Sequence, residues 1–229
     1  MKTSNKLLLA ATFIMFAYLA IYDFQLKAEY VKGDYKSRFY NMEHTALNSF
    51  NAVQNNVGNT LSINIEKGPK FEVWVNKYLK DKVVITQRNN TLYIDNKEKN
   101  ARYFQTGVTI ICPSVSVITT TPHILPDWLT DGKTTVSGFT QDMMIIHANK
   151  FTEIELSKNS LGKLDASTGD SKATITVHGD NRIKAARFNI IGKSDLKLFN
   201  LIANATYNYT DSATVTLNGK SFKQLQHLN

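Results

Sequence analysis

Hydrophobic and polar residues alternate along most of this chain, and the alternation has a longer period laid over it. Ser171-Lys-Ala-Thr-Ile-Thr-Val177 nearly repeats as Asp211-Ser-Ala-Thr-Val-Thr-Leu217, with a weaker copy, Ser194-Asp-Leu-Lys-Leu-Phe199, between them. Each copy is a short strand entered through a small polar turn. Strand signals fall at residues 143–147, 153–156, 163–166, 173–177, 187–191, 195–199, 205–209 and 213–217. The same strand returns about every twenty residues, the mark of an array whose units bury their faces only against neighbours. The pattern predicts an all-β stacked coil, a β-solenoid, past Gly138. Ala173, Ile175, Val177, Leu196, Leu198, Val215 and Leu217 are expected inside, with Thr174, Thr176, Lys197, Thr214 and Thr216 outside. The turns at Thr168-Gly-Asp170 and Gly192-Lys193 are expected to use positive φ. The segment Lys220-Ser-Phe-Lys-Gln-Leu225 is expected to cap the open end.

Upstream, residues 50–53 begin a strand. Leu61-Ser-Ile-Asn-Ile65 and Phe71-Glu-Val-Trp-Val75 flank Glu66-Lys-Gly-Pro69 and read as a hairpin. Lys82-Val-Val-Ile-Thr86 and Thr91-Leu-Tyr-Ile94 flank Gln87-Arg-Asn-Asn90 and read as a second. Gly107-Val-Thr-Ile-Ile-Cys112 and Val115-Ser-Val-Ile118 follow, broken by Pro113. Residues 119–132 interrupt the rhythm with two prolines and Asp131-Gly132, a loop signal. This loop carries His123, Asp127, Trp128 and Asp131. A Trp beside carboxylates is a candidate contact for carbohydrate or a protein partner. The competing reading has Ile124, Leu125, Trp128 and Leu129 folding back as a cap.

The N-terminal segment differs from all of this. Residues 7–22 carry no charge and follow Lys2 and Lys6. At about 1.5 Å per residue the stretch spans roughly 24 Å as a helix, close to a bilayer core. Ala17-Tyr-Leu-Ala20 does not give the small-residue spacing of a cleavage site. An uncleaved anchor over residues 7–23 is expected, with a cleaved signal as the alternative, after a cytoplasmic stub at 1–6. Residues 24–49 read as a juxtamembrane connector, helical near residues 42–47, with Tyr30, Tyr35, Phe39 and Tyr40 either at a membrane interface or over the edge of the first strands. Residues 50–229 form the β domain. Lys27, Lys32, Lys36 and Arg38 outnumber Lys2 and Lys6, which by count places the bulk of the chain in the cytoplasm. The interleaved Asp23, Glu29 and Asp34 weaken that count.

Composition narrows the chemistry. The net charge is +8, but basic residues are scattered among acids instead of clustered with aromatics, so nucleic acid is not an expected partner. A basic surface facing anionic lipid or glycan is the simpler reading. The single Cys112 sits in an apolar strand and reads as a small buried hydrophobe. The five histidines are far apart in sequence, without metal-ligand spacing, and no metal or cofactor is expected. No nucleophile-elbow, phosphate-loop or dinucleotide glycine motif occurs. Asp165, Asp170, Asp180 and Asp195 read as turn residues, and no enzyme activity is expected.

Asn59-Thr-Leu-Ser-Ile-Asn-Ile-Glu-Lys-Gly68, Phe71-Glu-Val-Trp-Val75, Leu79-Lys-Asp-Lys-Val-Val-Ile85 and Asn90-Thr-Leu-Tyr-Ile94 together resemble the opening of the DUF2807 family, the auto-transporter adhesin head GIN domain. Val108-Thr-Ile-Ile-Cys-Pro-Ser114 is similar to its strand leading into a proline, and the Thr-Gly-Asp-Ser and Ile-Gly-Lys-Ser turns are similar to its small-residue turns. The resemblance covers residues 50–218. The Trp128 loop and Thr210-Asp-Ser212 depart from the family's Ser-Gly turns. The resemblance implies a Bacteroidetes-type cell-envelope protein with no catalytic residues to carry over. It also implies that the bulk of the chain lies outside the cytoplasmic membrane, in the periplasm, held by a single pass. The function implied is non-catalytic binding or adhesion, with a glycan or an envelope protein as partner. The alternatives are a single-pass component for envelope assembly or lipid and lipopolysaccharide transport, and a polysaccharide-processing β-helix enzyme using Asp170 and Asp195. The pattern specifies no oligomeric state.

Overall fold

A computed structural model describes residues 3–97, 106–123, 132–169, 171–210, 212–219 and 221–222. The chain divides into two compact units, Met1–Asn41 and Met42–Asn229.

The first unit is dominated by helix α1, Thr3–Lys32, of 30 residues with none buried. Leu8, Phe13, Phe16, Leu19 and Phe24 are all more than half exposed. Among the described residues this helix alone is long and apolar enough to cross a membrane. It runs well past residue 23, into the stretch expected as connector.

Among the described residues, the second unit contains seventeen strands. The first eight are β1 (Met42–Ala46), β2 (Ala52–Asn55), β3 (Ser62–Lys67), β4 (Glu72–Asn76), β5 (Val83–Arg88), β6 (Thr91–Asn96), β7 (Thr106–Cys112) and β8 (Val117–Thr120). The remainder are β9 (Lys133–Ser137), β10 (Thr140–Ala148), β11 (Glu153–Ser157), β12 (Ser160–Thr168), β13 (Thr174–Val177), β14 (Arg182–Ile190), β15 (Asp195–Leu198), β16 (Asn204–Tyr209) and β17 (Thr214–Leu217).

They form two large sheets. One has nine strands in the order β1-β4-β7-β3-β9-β11-β13-β15-β17, the other eight in the order β16-β14-β12-β10-β8-β2-β6-β5. From β9 onward, successive strands enter the two sheets alternately, and from β10 onward each pairs in parallel with the strand two places earlier. Lys133 lies opposite Glu153, Glu153 opposite Thr174, Thr174 opposite Asp195, and Asp195 opposite Thr214. Each pass of about twenty residues therefore adds one strand to each sheet.

The inward side chains of both sheets make a single core, running from Phe50 to Ile202. Ala173, Ile175, Val177, Leu196 and Leu198 are fully buried, as the alternation requires. Both sheets keep one face outside, so their strands alternate instead of reading as the unbroken apolar runs of a parallel sheet covered on both faces. Val215 departs from the expected inward set at 36% exposure, because β17 is the edge strand and no further strand among the described residues covers it. Thr176, expected outside, is only 5% exposed. Its register neighbours are the longer Glu155 and Lys197, and its side chain shares a hydrogen bond with Glu153.

Other corrections have long-range causes. Residues 42–46 are strand β1, not helix; they pair antiparallel with β4. The strands at 62–67 and 72–76 do not form a hairpin, because β7 lies between them, parallel to β3 and antiparallel to β4. The second hairpin is present: β5 and β6 pair antiparallel around Asn89 and Asn90, both at positive φ. Gly192 adopts the expected positive φ of 62°; after Thr168, among the described residues, it is Lys172 and not Gly169 that is left-handed, and Asp170 lies outside the described residues. Asp165 lies within β12 and Asp195 begins β15, so neither sits in a turn.

One corner carries a column of buried polar groups. The Asn159 side chain donates to Val136 O and to Asn181 Oδ1, and Asn181 donates to Leu156 O and His178 O. Asn200 Nδ2 donates to Asn181 O. Of the expected cap only Ser221 and Phe222 are described; Ser221 Oγ donates to Leu198 O, and Phe222 is exposed.

Candidate functional site

The loop singled out in the sequence springs from one anchoring residue. Asn59, 2% exposed, accepts the His123 N–H through Oδ1 at 2.7 Å and the Gly132 N–H through its carbonyl at 3.1 Å. Both ends of the loop are thus held against one turn. Gly132 is required there, since a Cβ would come within 2.6 Å of Thr60 N. His123 is half-buried at this root. Asp127, Trp128 and Asp131 lie outside the described residues.

The outer face of the nine-stranded sheet gathers charges around Lys197 and Asp195, among them Lys133, Glu153, Glu155 and His178, which the sequence reading did not single out. Cross-strand register places Lys133, Glu153, Thr174 and Asp195 in one row, and Thr135, Glu155, Thr176 and Lys197 in the next. Lys133 Nζ lies 3.0 Å from Glu155 Oε2, and His178 Nε2 lies 4.0 Å from the same oxygen. The His178 ring stacks on Phe199 at 5.9 Å. Burial holds the Glu153 carboxyl above the ordinary range, aided by repulsion from Glu155 and opposed by Lys197, Lys133 and a hydrogen bond with Thr176. The available signal was Glu153-Ile-Glu155 itself, two acids projecting from one side of a strand.

At the corner beside this face a groove of about 270 Å³ is lined by Phe151, Glu153, Lys172, Lys193 and Asp195, among others. Phe151 is held at a φ of 58°, with Lys150 Nζ 4.8 Å and Lys172 Nζ 5.5 Å from its ring centroid. The arrangement offers paired positive and negative groups to a polar ligand.

Across the second sheet, His147 Nδ1 and Ser167 Oγ are 2.5 Å apart, and register extends their row to Thr119 and Asn189. Asp195 lies on the nine-stranded sheet, while Asp170, its proposed catalytic companion, lies outside the described residues. Among the described residues no group of three or more His, Cys, Asp or Glu side chains is placed to hold a metal ion.

No protein-family model matches the chain, and no curated protein matches its sequence. Solved structures do resemble it. A protein described as a "putative adhesin" from Bacteroides fragilis superposes with a TM-score of 0.51 at 13% identity, over 77% of this chain and 96% of that one. A second "putative adhesin", from Parabacteroides distasonis, gives 0.49 at 18% identity, over 78% and 79%. A "putative lipid binding protein" from the same species gives 0.41 at 14%, over 78% and 94%. The Bacteroides fragilis match shows a shared two-sheet fold.

Proposed function

We propose that residues 50–229 form a β-solenoid of the DUF2807 type, held at the cytoplasmic membrane by α1 with its bulk outside, which binds glycan or another envelope component without catalysing a reaction. The observation that carries this reading is the filled interior: Ile154, Leu164, Ile175, Phe188 and Leu198 are all at 0% exposure, so ligands meet the outer faces and loops. The fold shared with an adhesin-described protein supports the same reading. A lipid-relaying role needs an open apolar cleft between the sheets, and that space is packed with these side chains. The loop at 124–131, rooted on Asn59, is part of the proposed contact surface through Asp127, Trp128 and Asp131, with His123 at its base. Protease added to intact spheroplasts should cleave the β domain, and the full chain in detergent micelles should bind surface glycans on an array. Cleavage only after lysis, or an array without any retained glycan, would overturn the reading.

A further inference from the structure

The eight-stranded sheet contains a break in its pleat that runs straight across three strands. In β10, β12 and β14 the pairing joins Gln141 to Leu161 and Leu161 to Ile183, then resumes at Met143 with Lys163 and Lys163 with Ala185. Asp142, Gly162 and Lys184 are skipped in register with one another. Two consecutive residues on each strand then lie off the core, and the inward positions shift from Leu161 and Ile183 to Met144, Leu164 and Ala186. These three successive strands share the break, so it forms a continuous trough of about 580 Å³ across them.

The trough has a bare floor. A Cβ on Gly162 would lie 2.6 Å from the Asp142 carbonyl oxygen, so the middle strand can carry no side chain there. Asp142 and Lys184 sit at either side of this floor, two strand spacings or roughly 10 Å apart by register. Thr140, Ser160 and Arg182 form the flank, all three exposed.

We infer that this trough is a binding site for a linear acidic polysaccharide, lying across the strands with one carboxylate held between Arg182 and Lys184 where it crosses β14 and its hydroxyls on Asp142, Thr140 and Ser160. The inference deepens the proposed binding function and rests on it. Arg182 and Lys184 are two residues apart on one strand and both exposed, so both side chains can reach one carboxylate of a polymer that crosses β14. A nucleic-acid backbone, with a charge every 1.7 Å or so of duplex axis, would bring phosphates against Asp142 and find too few cations. A chain with one carboxylate per sugar and hydroxyls between matches the mixture of groups present.

The test uses the full chain in detergent micelles, with immobilised polygalacturonate as probe and dextran as the neutral polymer. The unmodified chain should retain polygalacturonate and not dextran. Arg182→Glu with Lys184→Glu should weaken retention at least about tenfold, while the circular-dichroism melt is unchanged because both side chains are exposed. Lys70→Glu with Lys77→Glu makes the same change in net charge away from the trough and should leave retention within about twofold. Equal loss in both double variants, or unchanged retention in the trough variant, overturns the assignment. A chain that binds other glycans on an array but not polygalacturonate also overturns it, while leaving the broader binding function standing.

Discussion

Asn159 and Asn181 occupy the same corner on successive passes, and the Asn159 side-chain amide donates to Asn181 Oδ1 at 3.0 Å. The same oxygen accepts the Asn159 backbone N–H at 3.0 Å, while Asn181 Nδ2 donates to Leu156 O and His178 O at 2.7 Å. At 3% exposure, water cannot readily replace these partners.

Asn181→Ala removes all four bonds and leaves buried groups unpaired. A loss of about 2–3 kcal/mol is expected, or roughly 4–12 °C in Tm for a domain of this size. Thermal unfolding followed by circular dichroism measures it. A midpoint indistinguishable from the unmodified chain would show that the column does not hold the passes together.

Position along the stack should decide the cost of truncating equivalent side chains. Ile175 is fully buried between β11 and β15, whereas Val215, in the matching column on the edge strand, is 36% exposed. Ile175→Ala is expected to cost about 2–5 kcal/mol and Val215→Ala under about 1 kcal/mol. Urea titrations of the two variants give the comparison. Equal costs would mean that residues beyond β17 bury Val215 as deeply.

Glu153 should give stability a definite pH dependence. Its carboxyl is raised in the folded chain, so between the unfolded and folded pKa values the folded state binds more protons. Stability contributed by this group is present below the unfolded value and is lost as pH rises through the folded one. Glu153→Gln should therefore flatten the decline above the ordinary carboxylate range and unfold at higher urea than the unmodified chain at neutral pH. At pH 3 the two should converge. A variant less stable at neutral pH would show that attraction to Lys133 and Lys197 outweighs burial.

Cys112 is completely buried in β7, and burial pushes its thiol up to about 12. At pH 8 the native protein should react with a thiol reagent only as fast as it opens, and denaturant should restore reaction at once. Rapid labelling of the native chain would contradict the packing of β7 between β3 and β4.

The strands past Gly138 were legible because their period of two is regular and their outward residues are polar. Their starts were not. The expected strands began at Met143, Lys163 and Arg187, where alternation is clean, whereas β10, β12 and β14 begin at Thr140, Ser160 and Arg182. The missing residues lie at or ahead of the pleat break, where inward positions fall three apart and the alternation slips. The false hairpin at residues 61–75 has a different origin. Gly68-Pro69 is good turn chemistry, but the partner that separates the strands, β7, arrives some thirty residues later and leaves no local trace. The asparagine column was hidden because a lone Asn between strands reads as a turn residue. For the loop, composition gave a candidate contact, but nothing local tied His123 and Gly132 to Asn59, which lies more than sixty residues from His123.

Strands that pair only with the passes before and after them have a consequence for how such a chain can change. Inserting or deleting one complete pass beyond β9 alters the height by about 4.8 Å and rewrites contacts only where the cut is made. Pass number is therefore a length that evolution or an engineer can adjust in whole units, provided each new unit brings its own corner asparagine and its own inward residues at the break.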